Sequence, residues 1–159
     1  MIVLGINSYH ANSSAALVVD GELVFAIEEE RLNRIKNTAG FPRLAIEECL
    51  KYKKINLNEV DLISINSNPK EQILKKIKFA FKNLINFSDI TKKIHNLSKK
   101  KNLKEEIDKI KNFGTFKGRI INTEHHLSHI ASSYFISGFT EAAGVSVDGS
   151  GDFTTTSNS

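Results

Sequence analysis

Two histidines one helical turn apart, His125 and His129, are the residues of this sequence best suited to metal chemistry. The apolar residues that follow them at helical spacing predict an amphipathic helix, on which positions i and i+4 share a face. Asp148 follows the apolar stretch 142–147, which predicts a strand, so its carboxylate would come from a second element. Two imidazole nitrogens and a carboxylate suit Fe(II), Mn(II) or Zn(II) and leave positions open for water or substrate.

The same spacing has a plainer interpretation, because a histidine near a helix start is often a cap or a half-buried polar residue. A pair followed by an aspartate in a glycine turn is less often accidental, and it fits a metal site or a phosphate site. His126 is rotated by about 100° from the pair, which predicts a supporting or structural role. The negative charge of Glu124 is expected to interact favourably with the exposed N–H groups at the helix start, and Thr123 can cap the helix.

Length and composition indicate one modest soluble domain. The chain has 159 residues, of which 40% are hydrophobic and 25% charged. No apolar run is long enough to span a bilayer, and residues 1–7 predict a buried strand rather than a signal peptide, so a cytoplasmic location fits. The single cysteine, Cys49, excludes an internal disulfide framework and lies on an apolar helical stripe.

The positive charge is concentrated in one segment. Residues 70–112 contain thirteen lysines and five acidic residues, whereas the whole chain carries a net charge of only +4. Apolar residues at helical spacing predict helices whose other face carries the lysines into solvent. Binding of nucleic acid or a membrane surface is the less favoured alternative, because the segment has no arginine.

The elements that must position these residues follow a recognisable order. Strands are predicted over residues 1–7, 14–19 and 22–27, and Asp20-Gly21 predicts a tight hairpin turn, so the chain opens with an antiparallel meander. The charged run 28–36 fits either a solvated helical turn or a partnered buried segment. The remaining predictions are a helix over 43–52 after Phe41-Pro42, strands over 62–66 and 119–122, a histidine helix ending at Gly138, a strand over 142–147, a turn over 149–151 and a strand over 153–156.

This order matches an RNase H-like half of the actin-like ATPase fold, an α/β architecture with a mixed sheet and flanking helices. Each half of that fold opens with a hairpin whose turn cradles phosphates through backbone N–H groups. Residues 1–140 would form the first half, with the lysine-rich helical segment inserted at about 68–115. Residues 141–159 would open a truncated second half, so the sequence is expected to be an N-terminal fragment.

Several motifs together resemble the start of the antibiotic and nodulation O-carbamoyltransferases. The resemblance covers most of the chain apart from roughly residues 68–115. The motifs are Tyr9-His10-Ala11-Asn12-Ser13-Ser14-Ala15-Ala16-Leu17, Glu28-Glu29-Glu30-Arg31, Arg34 with Lys36, Gly40-Phe41-Pro42, His125-His126-Leu127-Ser128-His129 with Ala131-Ser132, and Val147-Asp148-Gly149.

The resemblance implies an actin-like ATPase domain followed by a YrdC-like domain that makes carbamoyl adenylate from carbamoyl phosphate and ATP. The first domain would transfer the carbamoyl group to a hydroxyl of a small acceptor, such as a sugar or an antibiotic precursor. It implies a divalent metal, with iron favoured, held by His125, His129 and Asp148 near the adenylate phosphate. The nucleotide contacts would include Asn12, Ser13, Gly149 and Gly151.

The resemblance also implies roles for residues near the start of the chain. His10 would lie near the carbamoyl group, as a base or as a hydrogen-bond donor to the acceptor hydroxyl. Lys36, with Arg31 or Arg34, would offset the negative charge of the adenylate. The open alternative for these three cations is an ion-paired network with residues 28–30.

This sequence also departs from the family's pattern. Many members have an aspartate where Asn12 stands, and the 159-residue chain is expected not to complete a turnover alone. A tRNA threonylcarbamoyl-transferase subunit, which shares the two-histidine helix, is the main alternative. A non-catalytic module that binds metal or forms a homodimer is another, and a sugar kinase is the least favoured. The sequence does not name the acceptor.

Overall fold

The computed structural model describes residues 1–9, 11–66, 103–151 and 154–158, and for Lys111 and residues 148–158 it describes the backbone alone. The chain divides into two compact units, residues 1–65 with 87–121 and residues 66–86 with 122–159. Of the lysine-rich segment 70–112, for which the sequence predicts helices, residues 70–102 lie outside the described residues. The described elements are β1 (Ile2–Asn7), β2 (Ser14–Val19), β3 (Glu22–Glu28), α1 (Glu29–Asn33), α2 (Arg43–Lys53), β4 (Leu62–Ile65), α3 (Leu103–Asp108), β5 (Arg119–Asn122), α4 (His125–Ser137), β6 (Val145–Gly151) and β7 (Thr154–Asn158), with 3-10 turns at Leu57–Glu59 and Lys111–Phe113.

The predicted antiparallel meander is confirmed. β1 pairs with β2 from Ile2 opposite Val19 to Asn7 opposite Ser14, and β2 pairs antiparallel with β3. The turn between β2 and β3 has positive φ at Asp20 and Gly21, 51° and 89°, which is the backbone of a tight two-residue hairpin.

The meander belongs to a five-stranded sheet with the order β3-β2-β1-β4-β5, in which β4 runs parallel to β1. This mixed sheet with flanking helices confirms the predicted RNase H-like half. α2 packs on the sheet through its predicted apolar face, and the core is built from alternate strand positions and this face. Its fully buried members include Leu4, Leu17, Ala45, Ile46, Cys49, Leu50 and Ile63.

A carboxylate from another element begins α2. The N-cap of α2 is Pro42, which has no side chain that can accept a hydrogen bond, so the first N–H groups need another acceptor. Glu29 supplies it, since its carboxylate accepts from Leu44 N at 3.2 Å and Ala45 N at 2.8 Å. Glu29 is only 6% exposed. Within the charged run, Glu29 is therefore buried and partnered, in agreement with one of the two interpretations that the sequence left open.

Several predicted boundaries need correction. The cap of α4 is Glu124 rather than Thr123, because the Glu124 carboxylate accepts from Leu127 N at 2.6 Å. β6 begins at Val145 rather than at residue 142. The turn predicted over residues 149–151 is wrong, since these residues lie in β6, where the pairing with β7 shifts register between Val147 and Gly151.

Burial suppresses the reactivity of the single thiol. Cys49 lies in the core of the first unit with no exposed surface. Desolvation by burial raises the pKa of the Cys49 thiol to about 12. A thiol with this pKa stays protonated at neutral pH, so Cys49 is a packing residue and not a nucleophile.

Among the described residues, no helix has the length and apolar character that crossing a bilayer requires.

Candidate functional site

The histidine helix α4 is defined at both ends by local interactions. At its start the Glu124 side chain accepts from Leu127 N, and the Ser128 hydroxyl donates to Glu124 O at 2.9 Å. At its end Gly138 adopts a φ of 76°, the left-handed conformation that terminates many helices. These caps fix the turn on which both histidines lie.

The structure brings His125 and His129 together on one face of α4, as their spacing predicts. Their Nε2 atoms are 3.1 Å apart, and the ring planes are inclined by 81°. Two nitrogens that each lie ~2.1 Å from one metal ion are themselves about 3.0–3.4 Å apart at tetrahedral or octahedral angles. The 3.1 Å separation therefore fits a pair of neighbouring ligands on one cation. His125 is 7% exposed, whereas His129 is exposed to solvent.

The third predicted ligand, Asp148, is described through its backbone alone. It lies in β6, an element of the same unit as α4, and α4 packs on β6. Among the side chains that the structure describes, no three His, Cys, Asp or Glu groups converge as a metal site, and Asp148 is not among those side chains. The complete ligand set therefore stays a prediction.

A buried hydrogen bond links α4 directly to β6. The Nδ1 atom of His126 lies 2.9 Å from the Ser146 hydroxyl, and His126 has no exposed surface. Sequence reasoning assigned His126 a supporting role without a partner. Ser146 was missed, because a serine inside an apolar strand carries no local signal of a contact twenty residues away.

An open groove runs along α4 beside the histidine pair. Its volume is about 750 Å³, within the range of small-molecule sites. His129 lines it together with Ile130, Tyr134, Phe135 and Val147. Phe135 and Val147 are 80% and 76% exposed, so the groove presents an unusually apolar surface to solvent.

The predicted phosphate-cradling turn after β1 is a strained and tightly held loop. Tyr9 and Asn12 adopt positive φ values of 64° and 59°, which are uncommon outside glycine. Tyr9 N donates to Gly40 O at 2.9 Å, and Ser13 N donates to Thr38 O at 3.0 Å. His10 lies outside the described residues, so its predicted role is untested.

Two side chains of this loop are withdrawn from solvent. Ser8 is 1% exposed, and its hydroxyl has no hydrogen-bond partner among the described residues. The pKa of the Tyr9 phenol is raised, first by burial and then by the negative charge of Glu106. Tyr9 therefore keeps its proton at neutral pH and remains a hydrogen-bond donor.

The three predicted cations lie on and around a second loop. Arg31, Arg34 and Lys36 are all exposed, and the described part of the chain shows no ion pair between them and a carboxylate. The alternative of an ion-paired network with residues 28–30 is therefore not found. Instead, Glu30 accepts from Asn37 N at 2.9 Å and so fixes the loop backbone.

The loop that carries the cations also supports the turn after β1. Asn33 accepts from Ile35 N at 2.8 Å, and Thr38 donates through its hydroxyl to Ile35 O at 2.6 Å. Thr38 O in turn accepts from both the backbone N–H and the hydroxyl of Ser13. The structure thus joins Ser13 to the loop of the three cations, whereas Gly149 and Gly151 lie in β6 of the other unit.

Comparison with known proteins identifies the family. The family model described as Carbamoyltransferase N-terminus matches residues 2–159. The chain belongs to this carbamoyltransferase family. The family membership predicted from the motifs is thereby confirmed.

Three relatives are similar to this chain over nearly its whole length. It is 39% identical to the uncharacterized protein sll1178 of Synechocystis over 98% of the chain and 26% of that protein. It is 33% identical to the nodulation protein NolNO of Sinorhizobium fredii, over 92% and 21%, and 30% identical to the uncharacterized protein MJ1051 of Methanocaldococcus jannaschii, over 95% and 23%. The chain spans about a quarter of the length of these relatives.

Two solved structures also align with the carbamoyltransferase chain at low similarity. YeaZ from Pseudomonas aeruginosa aligns with a TM-score of 0.43 and 11% identity, over 87% of this chain and 52% of YeaZ. An uncharacterized protein described as similar to peptidase YEAZ from the same organism aligns with a TM-score of 0.44 and 14% identity, over 86% and 49%.

Proposed function

We propose that this chain is part of an O-carbamoyltransferase that transfers a carbamoyl group from carbamoyl adenylate to a hydroxyl of a small acceptor. The observation that carries the proposal is the His125–His129 nitrogen pair, 3.1 Å apart, in a chain of the carbamoyltransferase family. The chain spans about a quarter of its relatives. We therefore assign turnover to a longer protein and expect no carbamoyl transfer by these 159 residues alone.

We assign the divalent metal to His125, His129 and Asp148. The donor set of two imidazoles and a carboxylate suits Fe(II), the metal that the motif resemblance favours, and it accepts Mn(II) or Zn(II) as well. When bound, such a cation supplies positive charge and Lewis acidity toward the adenylate phosphate. The protein would contribute the two histidine nitrogens from one helical turn. The His125 ring is buried, and the His129 ring is exposed to solvent.

We assign the turn after β1 and the neighbouring cations to the anionic nucleotide. Positive φ values at Tyr9 and Asn12 reverse the backbone of this loop, as in other loops that bind anions. Because Tyr9 N and Ser13 N already donate to backbone carbonyls, we assign the anion contact to the N–H groups of Ala11 and Asn12. The buried Ser8 hydroxyl adds a donor close by along the chain. Since Arg34 and Lys36 are exposed and make no ion pair within the described residues, their charges are available to an anion.

The transfer step needs a proton acceptor, and we assign this role to His10. As the acceptor hydroxyl attacks the carbamoyl carbon, its proton passes to His10, and a new carbon–oxygen bond forms. The bond from the carbamoyl carbon to the phosphate oxygen breaks, and AMP leaves. The products are a carbamate ester, AMP and protonated His10, so atoms and charges balance.

The groove along α4 supports a small acceptor that has an apolar face. A volume of about 750 Å³ suits such a molecule, and the lining is mostly apolar with a few hydroxyl groups. Because His129 lines the groove, a ligand in it would lie beside the histidine pair.

Metal binding tests the proposal most directly. We expect the wild-type chain to bind one Fe(II) ion under anaerobic conditions, as measured by calorimetry and metal analysis. His129→Ala removes one nitrogen of the pair and should reduce affinity by more than about tenfold. Ser137→Ala, which deletes a hydroxyl about two turns beyond His129 on the same helix, is the matched control and should bind like the wild type. A wild-type chain that binds no Fe(II), Mn(II) or Zn(II) would overturn the proposal.

A further inference from the structure

We propose that His126 and Ser146 form a positioning pair that sets the third metal ligand, Asp148, against the histidine pair of α4. This inference rests on the proposed function, because it assigns how the same metal site is held in shape. Neither His126 nor Ser146 is a predicted ligand.

The first observation is the burial of the contact. His126 has no exposed surface and Ser146 is 7% exposed, and their polar atoms are 2.9 Å apart. Leaving a buried polar group without its partner is unfavourable, so the bond resists sliding of α4 along β6. It is therefore a specific link between the two elements rather than a solvated contact.

The second observation is what lies on either side of this link. His126 follows His125 directly and precedes His129 by three positions, so it moves with the pair on one turn of α4. Position 148 lies two residues after Ser146 in β6, and alternate positions of a strand lie on the same side. The neighbours Val145 and Val147 are exposed, whereas Ser146 is buried, as this alternation requires.

The third observation is the close packing of α4 near the start of β6. A Cβ atom placed on Gly144 would lie 2.5 Å from the Cγ2 atom of Ile130, so the backbone before β6 approaches α4 closely. Between this approach and position 148, the His126–Ser146 bond is a second point at which the strand is tied to the helix. Beyond Val147 the pairing of β6 with β7 becomes irregular. The bond thus ties the helix to the strand two residues before the carboxylate position.

The three histidines have two different roles in this proposal, metal binding and contact with β6. His125 and His129 would hold the cation, and His126 contacts the strand that would supply the carboxylate. A one-residue slip of β6 would turn position 148 to the other side of the strand, which is the displacement that a His126–Ser146 bond prevents.

The test uses Co²⁺, whose absorption spectrum reports the number and kind of its ligands. We expect the wild-type chain to bind Co²⁺, and His126→Leu and Ser146→Ala to weaken binding by about tenfold or more with an altered visible spectrum. His126→Asn places an amide near the former Nδ1 position and can still bond Ser146, so it should restore wild-type affinity and spectrum to within about threefold. Ser137→Ala is the matched hydroxyl deletion on α4, away from the histidines, and should change neither.

The possible outcomes separate the two proposals. If Co²⁺ binds to the wild type and is lost in His129→Ala, but His126→Leu and Ser146→Ala are folded by circular dichroism and bind with the wild-type spectrum, the positioning pair is wrong and the metal site stands. If His126→Leu does not fold, Ser146→Ala decides by the same criterion, while His126→Asn is still expected to bind like the wild type. A wild-type chain that binds no Co²⁺ removes both proposals.

Discussion

At the residue scale, the polar side chains that matter most act on backbone or on one another rather than on solvent. Glu29 accepts from two backbone N–H groups, Glu30 from one, and His126 meets a buried serine. Each of these contacts joins residues far enough apart to fix two segments at once. Arg34 and Lys36, in contrast, are exposed and form no ion pair within the described residues.

The N-terminal amine and Asp20 form an exposed ion pair with a defined pH window. A hydrogen bond from Met1 raises the amine pKa from its ordinary 8.0 and lowers the Asp20 carboxyl pKa from its ordinary 3.8. The amine contribution to stability is complete below pH 8.0 and is lost as pH rises through its raised pKa. The carboxyl contribution is complete above pH 3.8 and is lost as pH falls through its lowered pKa.

We therefore expect Asp20→Asn to lower the free energy of unfolding slightly between about pH 4 and pH 8, with the difference from wild type shrinking outside this window. Asparagine tolerates the left-handed backbone of the turn, so the substitution tests the charge alone. Urea unfolding of both proteins from pH 3 to pH 10 measures the difference. A constant difference across the whole range would contradict the ion-pair explanation.

At the element scale, the sheet and helices were predictable where the signal is local. The Asp20-Gly21 turn and the β-branched runs beside it specify the meander, and a four-residue spacing specifies the histidine face of α4. The start of β6 was misplaced because Ala142, Ala143 and Gly144 are small residues that carry weak strand preference.

The contacts that sequence reasoning missed are long-range. No local pattern says that a glutamate after β3 caps a helix fifteen residues later, or that His126 meets Ser146. One indirect signal existed for the first contact, since Pro42 leaves α2 without a capping side chain of its own. The predicted metal ligands combine both situations. The histidine pair follows from a spacing of four residues, whereas its approach to Asp148 would be a long-range contact.

Glu29→Ala tests the cap of α2. The substitution leaves the N–H groups of Leu44 and Ala45 without their acceptor in a buried place, so we expect the free energy of unfolding to fall by about 2 kcal/mol. Chemical denaturation monitored by circular dichroism measures this change.

The neighbouring Glu28→Ala provides the matched control. Glu28 belongs to the same acidic run, its side chain makes no recorded hydrogen bond or ion pair within the described residues, and we expect a change within about 0.5 kcal/mol. Equal effects of the two substitutions would show that the acidic run acts through its total charge instead of through the Glu29 cap.

At the scale of the whole molecule, charge and apolar surface are unevenly divided. The lysines concentrate in residues 70–112, whereas residues 122–159 contain no lysine or arginine at all. Residues 122–159 instead expose large apolar side chains, among them Phe135, Ile136 and Phe139. The threonylcarbamoyl-transferase hypothesis would use the basic segment to bind tRNA. The O-carbamoyltransferase hypothesis would use the apolar groove to bind a small acceptor.

A tRNA mobility-shift assay at two salt concentrations separates these hypotheses. We expect any binding near 50 mM salt to disappear near 200 mM and to be equally strong for duplex DNA, because lysine contacts to phosphates are unselective and weaken steeply with salt. Complexes that persist at about 200 mM salt and prefer tRNA would favour the threonylcarbamoyl-transferase alternative.

The complete burial of Cys49 makes the chain convenient for site-specific labelling at an introduced cysteine. A thiol without exposed surface and with a pKa of about 12 will not react with maleimides while the protein is folded. A cysteine introduced on the outer side of the histidine helix would therefore carry a fluorophore or a spin probe alone, without removal of the native one. Unfolding would expose the second thiol, so the ratio of one to two labels also reports the integrity of the interior.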